Sequence, residues 1–450
     1  MKRKTLFSLA LAALLLLSCM AGCAGSNNPT DPQKPGASGQ EPSNPATSDT
    51  PKVETPAPAV PLSSVTNAKN LGFTKFDNQL VEYLKQAGRE DENFTVSPLS
   101  FKAALAMAAL GAEGETQAQL LTAMGFQSVD ELRAWYATVL DGVKDFENQM
   151  DELMSDAYLY NMDASGSTDS NETRTAAYRV VNSVWANQDK EGEFRKGFLD
   201  DVAKTCDAEA QSAPAKDLAR VVNAWVNEQT NGLIPSILDE MAAADSSAIL
   251  VNALYLKSGW ENSFRKLDDR DFTTRSGEKV QKPFMQQQSH FNYYKDEQTQ
   301  LVSVPLQGGV SMVFVLGDDT GLADKLSKAE NKLVDVTVPM IDVETSLDQQ
   351  ELVNYLKLMG CEKMFTEKAE FNPMYSRPLF VADILQKAKV HTDEEGLEAA
   401  AVTAILMVEG CIAEPEPETP EIFCADRPFS FYVVKNGEAP ELLFWGQIVK

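Results

Sequence analysis

The chain has 450 residues, with 66 acidic against 40 basic side chains and a formal net charge of −26 at pH 7. A surface this acidic repels nucleic-acid phosphates and anionic lipid headgroups, so nucleic acid is not expected as a partner. His290 and His391 are the only histidines, and the cysteines show no CxxC spacing. No metal or other cofactor is therefore expected, and a Ser-His-Asp hydrolase would have to be assembled from one of two histidines.

The first element in chain order is a basic start, Met1-Lys2-Arg3-Lys4, followed by an apolar run through Leu17. It is too short to span a bilayer comfortably and reads as a secretory signal over residues 1–22. It ends at Met20-Ala21-Gly22-Cys23, which resembles a bacterial lipobox. That resemblance implies cleavage before Cys23, a lipid on its sulfur and an anchor on the outer face of a bacterial membrane. Residues 23–66 are rich in Pro, Ser, Asn and Thr, with Pro29, Pro32, Pro35, Pro42 and Pro45 among the prolines. Little apolar surface is available there to offset ordering entropy, so the segment reads as an extended tether.

Residues 67–450 carry mixed apolar and charged sequence without a second Pro/Gly linker and read as one domain. Helical spacing occurs over Phe76–Ala87 and Leu99–Leu110. The runs Leu301–Pro305, Ser311–Leu316 and Val336–Val338 read as strands. Phe429–Val434 and Leu443–Ile448, joined through Asn436-Gly437, read as a hairpin. Polar Asp163–Asn171 reads as a loop insertion, and His391 in the alternating Lys389–Thr392 stretch as a strand residue. The class is α+β.

The most informative run is Asp393-Glu394-Glu395-Gly396-Leu397-Glu398-Ala399-Ala400-Ala401-Val402-Thr403-Ala404. Its Glu, Leu and Ala favour a helix on residue type alone. Its single glycine and row of small residues equally suit a hinged loop able to enter a narrow slot in a sheet. The residues leave both readings open.

Several runs elsewhere decide between them. Asn93–Ser100 (NFTVSPLS), Gly111–Thr116, Val181–Trp185, Asn223–Ile234 and Leu250–Trp260 occur together, in order, with Val336–Pro339 and Phe423–Phe429. Their sequence and order resemble the serpins. The resemblance implies a serpin fold, a large central mixed β-sheet surrounded by helices with an exposed reactive-centre loop. It also implies suicide inhibition of a serine protease. The target's acyl-enzyme is trapped when the cleaved loop inserts into the main sheet. The alternative is a non-inhibitory serpin acting as a surface binding or storage protein.

On the same basis the hinge comprises Glu394, Gly396, Leu397, Ala399, Ala400, Ala401 and Thr403. The sheet-opening region comprises Ser97, Ser100, Trp185, Asn252 and Gln386, with Trp185 on the strand where the loop first enters. Gln386 stands where most of the family has histidine, so a titrating gate is not expected there. Counting about sixteen residues on from Glu394 puts the reactive bond between Gly410 and Cys411, because the sheet fixes the length that inserts. Met407, Val408 and Glu409 are then recognition residues for an elastase-like serine protease or a cysteine protease. Cys411 and Cys424, thirteen positions apart, are a candidate disulfide outside the cell. The implied partners are a target protease and, through the lipid, a membrane, with the domain a monomer.

Overall fold

The computed structural model describes residues 73–165, 176–241, 246–347, 349–381, 384, 386–397, 418–437 and 440–450. The segments 1–22 and 23–66 lie outside these residues, as do Cys23, Ala399, Ala400, Ala401, Thr403, Met407, Val408, Glu409, Gly410 and Cys411.

The helices are α1 (Lys75–Leu84), α2 (Pro98–Leu110), α3 (Gly114–Met124), α4 (Val129–Ser165), α5 (Lys196–Cys206), α6 (Ala215–Gln229), α7 (Leu322–Ser327) and α8 (Gln349–Leu358). Thr74 and Asp77 start α1 with reciprocal bonds. Thr74 Oγ1 accepts from the Asp77 N–H at 3.3 Å and Asp77 Oδ2 from the Thr74 N–H at 3.0 Å. Such a pair satisfies two amides that a helix start leaves without partners. The expected helix over 76–87 is divided. After Leu84 a π turn runs to Arg89, with Gly88 at φ 110°, a region glycine adopts without penalty. In α2, Ser97 caps and Pro98 takes the first position, while almost every side chain is buried. Of the expected loop at 163–171, residues 163–165 belong to α4, and the rest lie outside the described residues.

The strands are β1 (Phe94–Val96), β2 (Ala177–Asn187), β3 (Glu209–Ala213), β4 (Ala248–Gly259), β5 (Arg265–Lys266), β6 (Arg270–Thr273), β7 (Lys279–Lys282), β8 (Phe284–Lys295), β9 (Thr299–Leu306), β10 (Val310–Gly317), β11 (Glu330–Pro339), β12 (Asp342–Leu347), β13 (Gln386–His391), β14 (Gly396–Leu397), β15 (Glu421–Cys424), β16 (Phe429–Lys435) and β17 (Glu441–Ile448). Among the described residues they form one large sheet in the order β1-β17-β16-β10-β9-β8-β11-β15, with β5 on β8. A second sheet runs β14-β4-β2-β3, and β12-β13 and β6-β7 are two-stranded. The expected strands at 301–305, 311–316 and 336–338 lie in β9, β10 and β11. The expected hairpin is the antiparallel pair β16–β17, and His391 closes β13.

The main core packs α1 and α2 between the sheets. A smaller cluster packs α6 on the other face of β2 and β4. Side chains of β4 alternate between the two: Leu254 and Leu256 enter the main core, Val251 and Ala253 the cluster under α6. No helix among the described residues is long and apolar enough to cross a membrane.

Candidate functional site

One edge of β4 pairs with β2 over Ala248–Lys257, antiparallel. On its other edge, among the described residues, only Gly259 with Gly396 and Ser258 with Leu397 are paired. The neighbouring β13 pairs with β12 instead. Between β4 and the chain preceding β13 lies a cavity of 260 Å³, lined by Ala248, Leu250, Asn252, Ile384 and Gln386 among others. A strand edge that leaves its amides and carbonyls without a neighbouring strand is a template for one more strand.

The segment leading to that edge is fixed by its backbone. The Trp260 N–H donates to the Glu395 carbonyl at 3.0 Å and the Phe264 N–H to the Glu394 carbonyl at 2.8 Å. Trp260 Nε1 donates to the Asp393 carbonyl at 2.9 Å. Asp393 Oδ1 accepts from the N–H groups of Glu395 and Gly396 at 2.9 and 3.1 Å. These bonds take the carbonyls that a helix would need, which is why Glu394 and Glu395 bend into the short strand Gly396–Leu397 despite their helix-forming composition. At Gly396 a Cβ would run into the Ser258 carbonyl oxygen and lie 2.7 Å from Gly259 Cα, so only glycine fits beside β4 there. Leu397 is buried in the main core at 3% exposure.

Midway along β4, side chains from four elements meet. Ser100 Oγ on α2 donates to Asn252 Oδ1. Asn252 Nδ2 donates to Asn182 Oδ1 on β2 at 2.8 Å, and Asn182 Nδ2 to the Cys206 carbonyl at 2.8 Å. Gln386 Nε2 on β13 donates to the Ser97 carbonyl at 2.8 Å, while Ser97 Oγ accepts from the Ser100 N–H at 3.1 Å. The amide oxygen of Gln386 is buried without a partner and borders the cavity. A buried acceptor left open in this way is costly until a donor reaches it.

The structure thus groups Ser97, Ser100, Asn252 and Gln386, and places Glu394, Gly396 and Leu397 together at the upper end of β4. It separates Trp185 from the hinge group. Trp185 stands opposite Ile249 near the start of β4, roughly 30 Å of strand from Ser258 at about 3.3 Å per residue, and packs edge-to-face on Trp225 with centroids 6.4 Å apart. The tryptophan beside the hinge is Trp260. Its signal in the sequence was position: it directly follows Gly259, where β4 must turn away. Asn182 was also missed, since one asparagine in a strand carries no spacing signal. Cys424 bears a free thiol, and Cys411, the other half of the candidate disulfide, lies outside the described residues. Among the described residues no group of His, Cys, Asp and Glu could hold a metal ion.

The family model for serpins, described as serine protease inhibitors, matches residues 72–450. The chain belongs to the serpin family. Human Serpin B4 is 29% identical over 85% of this chain and 99% of its own length. The leukocyte elastase inhibitor of Equus caballus is 31% identical over 79% and 92%. Among solved structures, Serpin48 of the insect Tenebrio molitor superposes with a TM-score of 0.64 at 24% identity, covering 86% of this chain and 98% of its own. Native protease nexin-1 with heparin gives 0.66 at 23% identity, covering 87% of this chain and all of its own. The fold is that of the serpins, with the mixed sheet surrounded by helices.

Proposed function

We propose that this serpin is a suicide inhibitor of an extracellular serine protease. The carrying observation is the edge of β4 along which, among the described residues, only Gly396 and Leu397 pair, in register with Gly259 and Ser258. A strand continued from Leu397 would set residue 399 opposite Leu256, residue 403 opposite Asn252 and residue 407 opposite Ala248. Directly opposed residues share a face. Ala399, Ala401 and Thr403 would thus turn with Leu397 toward the main core, where small side chains fit.

The chain's part in trapping is mechanical. The target supplies the nucleophile and cleaves the loop at or near Gly410-Cys411. The freed segment then adds to β4 and distorts the acyl-enzyme before water releases it. The process is driven by new ladder hydrogen bonds and by apolar burial in the slot. The leukocyte elastase inhibitors among the relatives support an elastase-like target. The lipobox resemblance at Cys23 supports an anchored location outside a bacterial membrane.

Incubation of the purified chain with a panel of serine proteases, followed by denaturing electrophoresis, tests the reading. An SDS-stable complex with at least one protease is expected. Complete cleavage by every active protease without a complex would replace the reading with the non-inhibitory alternative. For the anchor, Cys23→Ser should move the protein from the detergent to the aqueous phase, and equal retention would remove the lipid from the account.

A further inference from the structure

The cavity beside β4 has the walls of a small-molecule site. Phe101, Leu105 and Ala108 of α2 line it together with Phe371 and Met374, and all five are buried. Among the described residues no Asp, Glu, Lys, Arg or His lines it, so a charged guest would find no counter-ion and a neutral one is favoured. Its volume of 260 Å³ exceeds the roughly 150 Å³ in which an apolar protein cavity accommodates benzene, and scales to about ten non-hydrogen atoms. Phe380, which also lines it, is 47% exposed, so an apolar mouth reaches the surface.

One lining side chain carries an acceptor with nothing to accept. Gln386 is 6% exposed. Its Nε2 donates to the Ser97 carbonyl at 2.8 Å, and because a carbonyl only accepts, that bond fixes which end of the amide is nitrogen. The other end, Oε1, is buried with no partner among the described residues. Asn252 on β4 is turned to Ser100 and Asn182 and leaves it open. We propose that this cavity binds a neutral, mainly apolar molecule of about ten non-hydrogen atoms with one hydroxyl, such as an alkylphenol or a medium-chain alcohol, the hydroxyl donating to Gln386 Oε1.

A consequence for regulation rests on the trapping reading. The strand continued from Leu397 needs the room between β4 and Gln386, with residue 403 opposite Asn252. Guest and strand therefore exclude one another, and a guest that binds the uncleaved chain lowers the fraction of molecules whose slot is open. Slower entry favours deacylation over trapping.

Isothermal titration calorimetry of the uncleaved chain with two isomers, 4-propylphenol and 4-ethylanisole, tests the site. The two share a formula, and only the first has a hydroxyl. The parent should bind the phenol about threefold to tenfold more tightly, the worth of one hydrogen bond. Gln386→Met keeps the length of the side chain without the acceptor and should bind both isomers alike. Ala248→Leu leaves the polar groups in place and takes up room, so it should weaken both several-fold. It also keeps the site open to refutation if Gln386→Met, which loses the bond to Ser97, does not fold. Binding of neither isomer, equal binding of both by the parent, a preference retained by Gln386→Met, or undiminished binding by Ala248→Leu would each overturn the site. Saturating 4-propylphenol should also raise the number of inhibitor molecules consumed per trapped protease, and an unchanged number would overturn the competition. Binding is read without a protease, so its loss strikes the site, whereas the absence of any SDS-stable complex strikes the trapping reading alone.

Discussion

Trp260 and Asp393 are joined by an indole N–H to carbonyl bond of 2.9 Å, which ties the end of β4 to the residue that opens the hinge. The ring is 3% exposed and packs on Phe264 with centroids 5.1 Å apart. Trp260→Phe keeps most of the ring and removes the donor. A loss of about 1–2 kcal/mol in stability is expected from a broken buried hydrogen bond and a small void. Equilibrium denaturation measures it, and faster amide exchange at Phe264, which donates to Glu394, should accompany it. Unchanged stability and exchange would mean that the hinge is held elsewhere.

Asn252 joins α2 to β2 through its side-chain amide. Asn252→Ala strands the Ser100 hydroxyl and the Asn182 amide oxygen and should cost about 1–3 kcal/mol, the range for leaving buried polar groups without partners. Asn252→Asp should cost at least as much, because a carboxylate cannot donate to Asn182. A loss under about 0.5 kcal/mol for both would show that the four-element junction is not a structural fastening.

Ala399→Arg probes the route of insertion. Opposite Leu256, an arginine would face the main core without a counter-ion, at a cost of several kcal/mol to the inserted state. Deacylation should then outrun insertion, so that the variant is cleaved as a substrate and the stoichiometry of inhibition rises many-fold. The same number of inhibitor molecules consumed per protease as in the parent would contradict insertion along β4.

The thiols give a prediction with a pH sign. Burial pushes the Cys206 and Cys361 thiols up to about 12, so at pH 8 only about one in ten thousand is thiolate. Cys424 is partly exposed, although burial also raises it. A small alkylating reagent at pH 8 should therefore modify Cys424 in the folded protein and spare the other two, as peptide mass spectrometry would read. Modification of Cys206 or Cys361 at a comparable rate would reveal opening of the core around α5 or α8.

Much of the fold was legible because its long strands and helices carry their period in the chain. Ser311–Leu316 and the two arms of the Asn436-Gly437 hairpin have the side-chain pattern that their burial demands. The hinge was legible only through family resemblance. Glu394–Leu397 has helix-forming side chains, and what turns it into a bend and a short strand are bonds to Trp260 and Phe264, at least 130 positions away. Trp185 was misplaced for a related reason: a tryptophan in a strand reveals burial but not which end of the sheet it occupies. Lys102 went unnoticed because a lysine among alanines reads as a solvent-facing residue until three rings are found around it.

The open space between β4 and Gln386 also bears on how such a protein changes over generations. A larger side chain at Ala248 or Leu250 would fill the cavity and make the resting molecule harder to unfold. The same substitution would occupy room that an incoming strand needs. Selection for heat resistance alone should therefore produce variants that are sturdier and inactive, and the vacancy persists only under selection for the inhibitor's task.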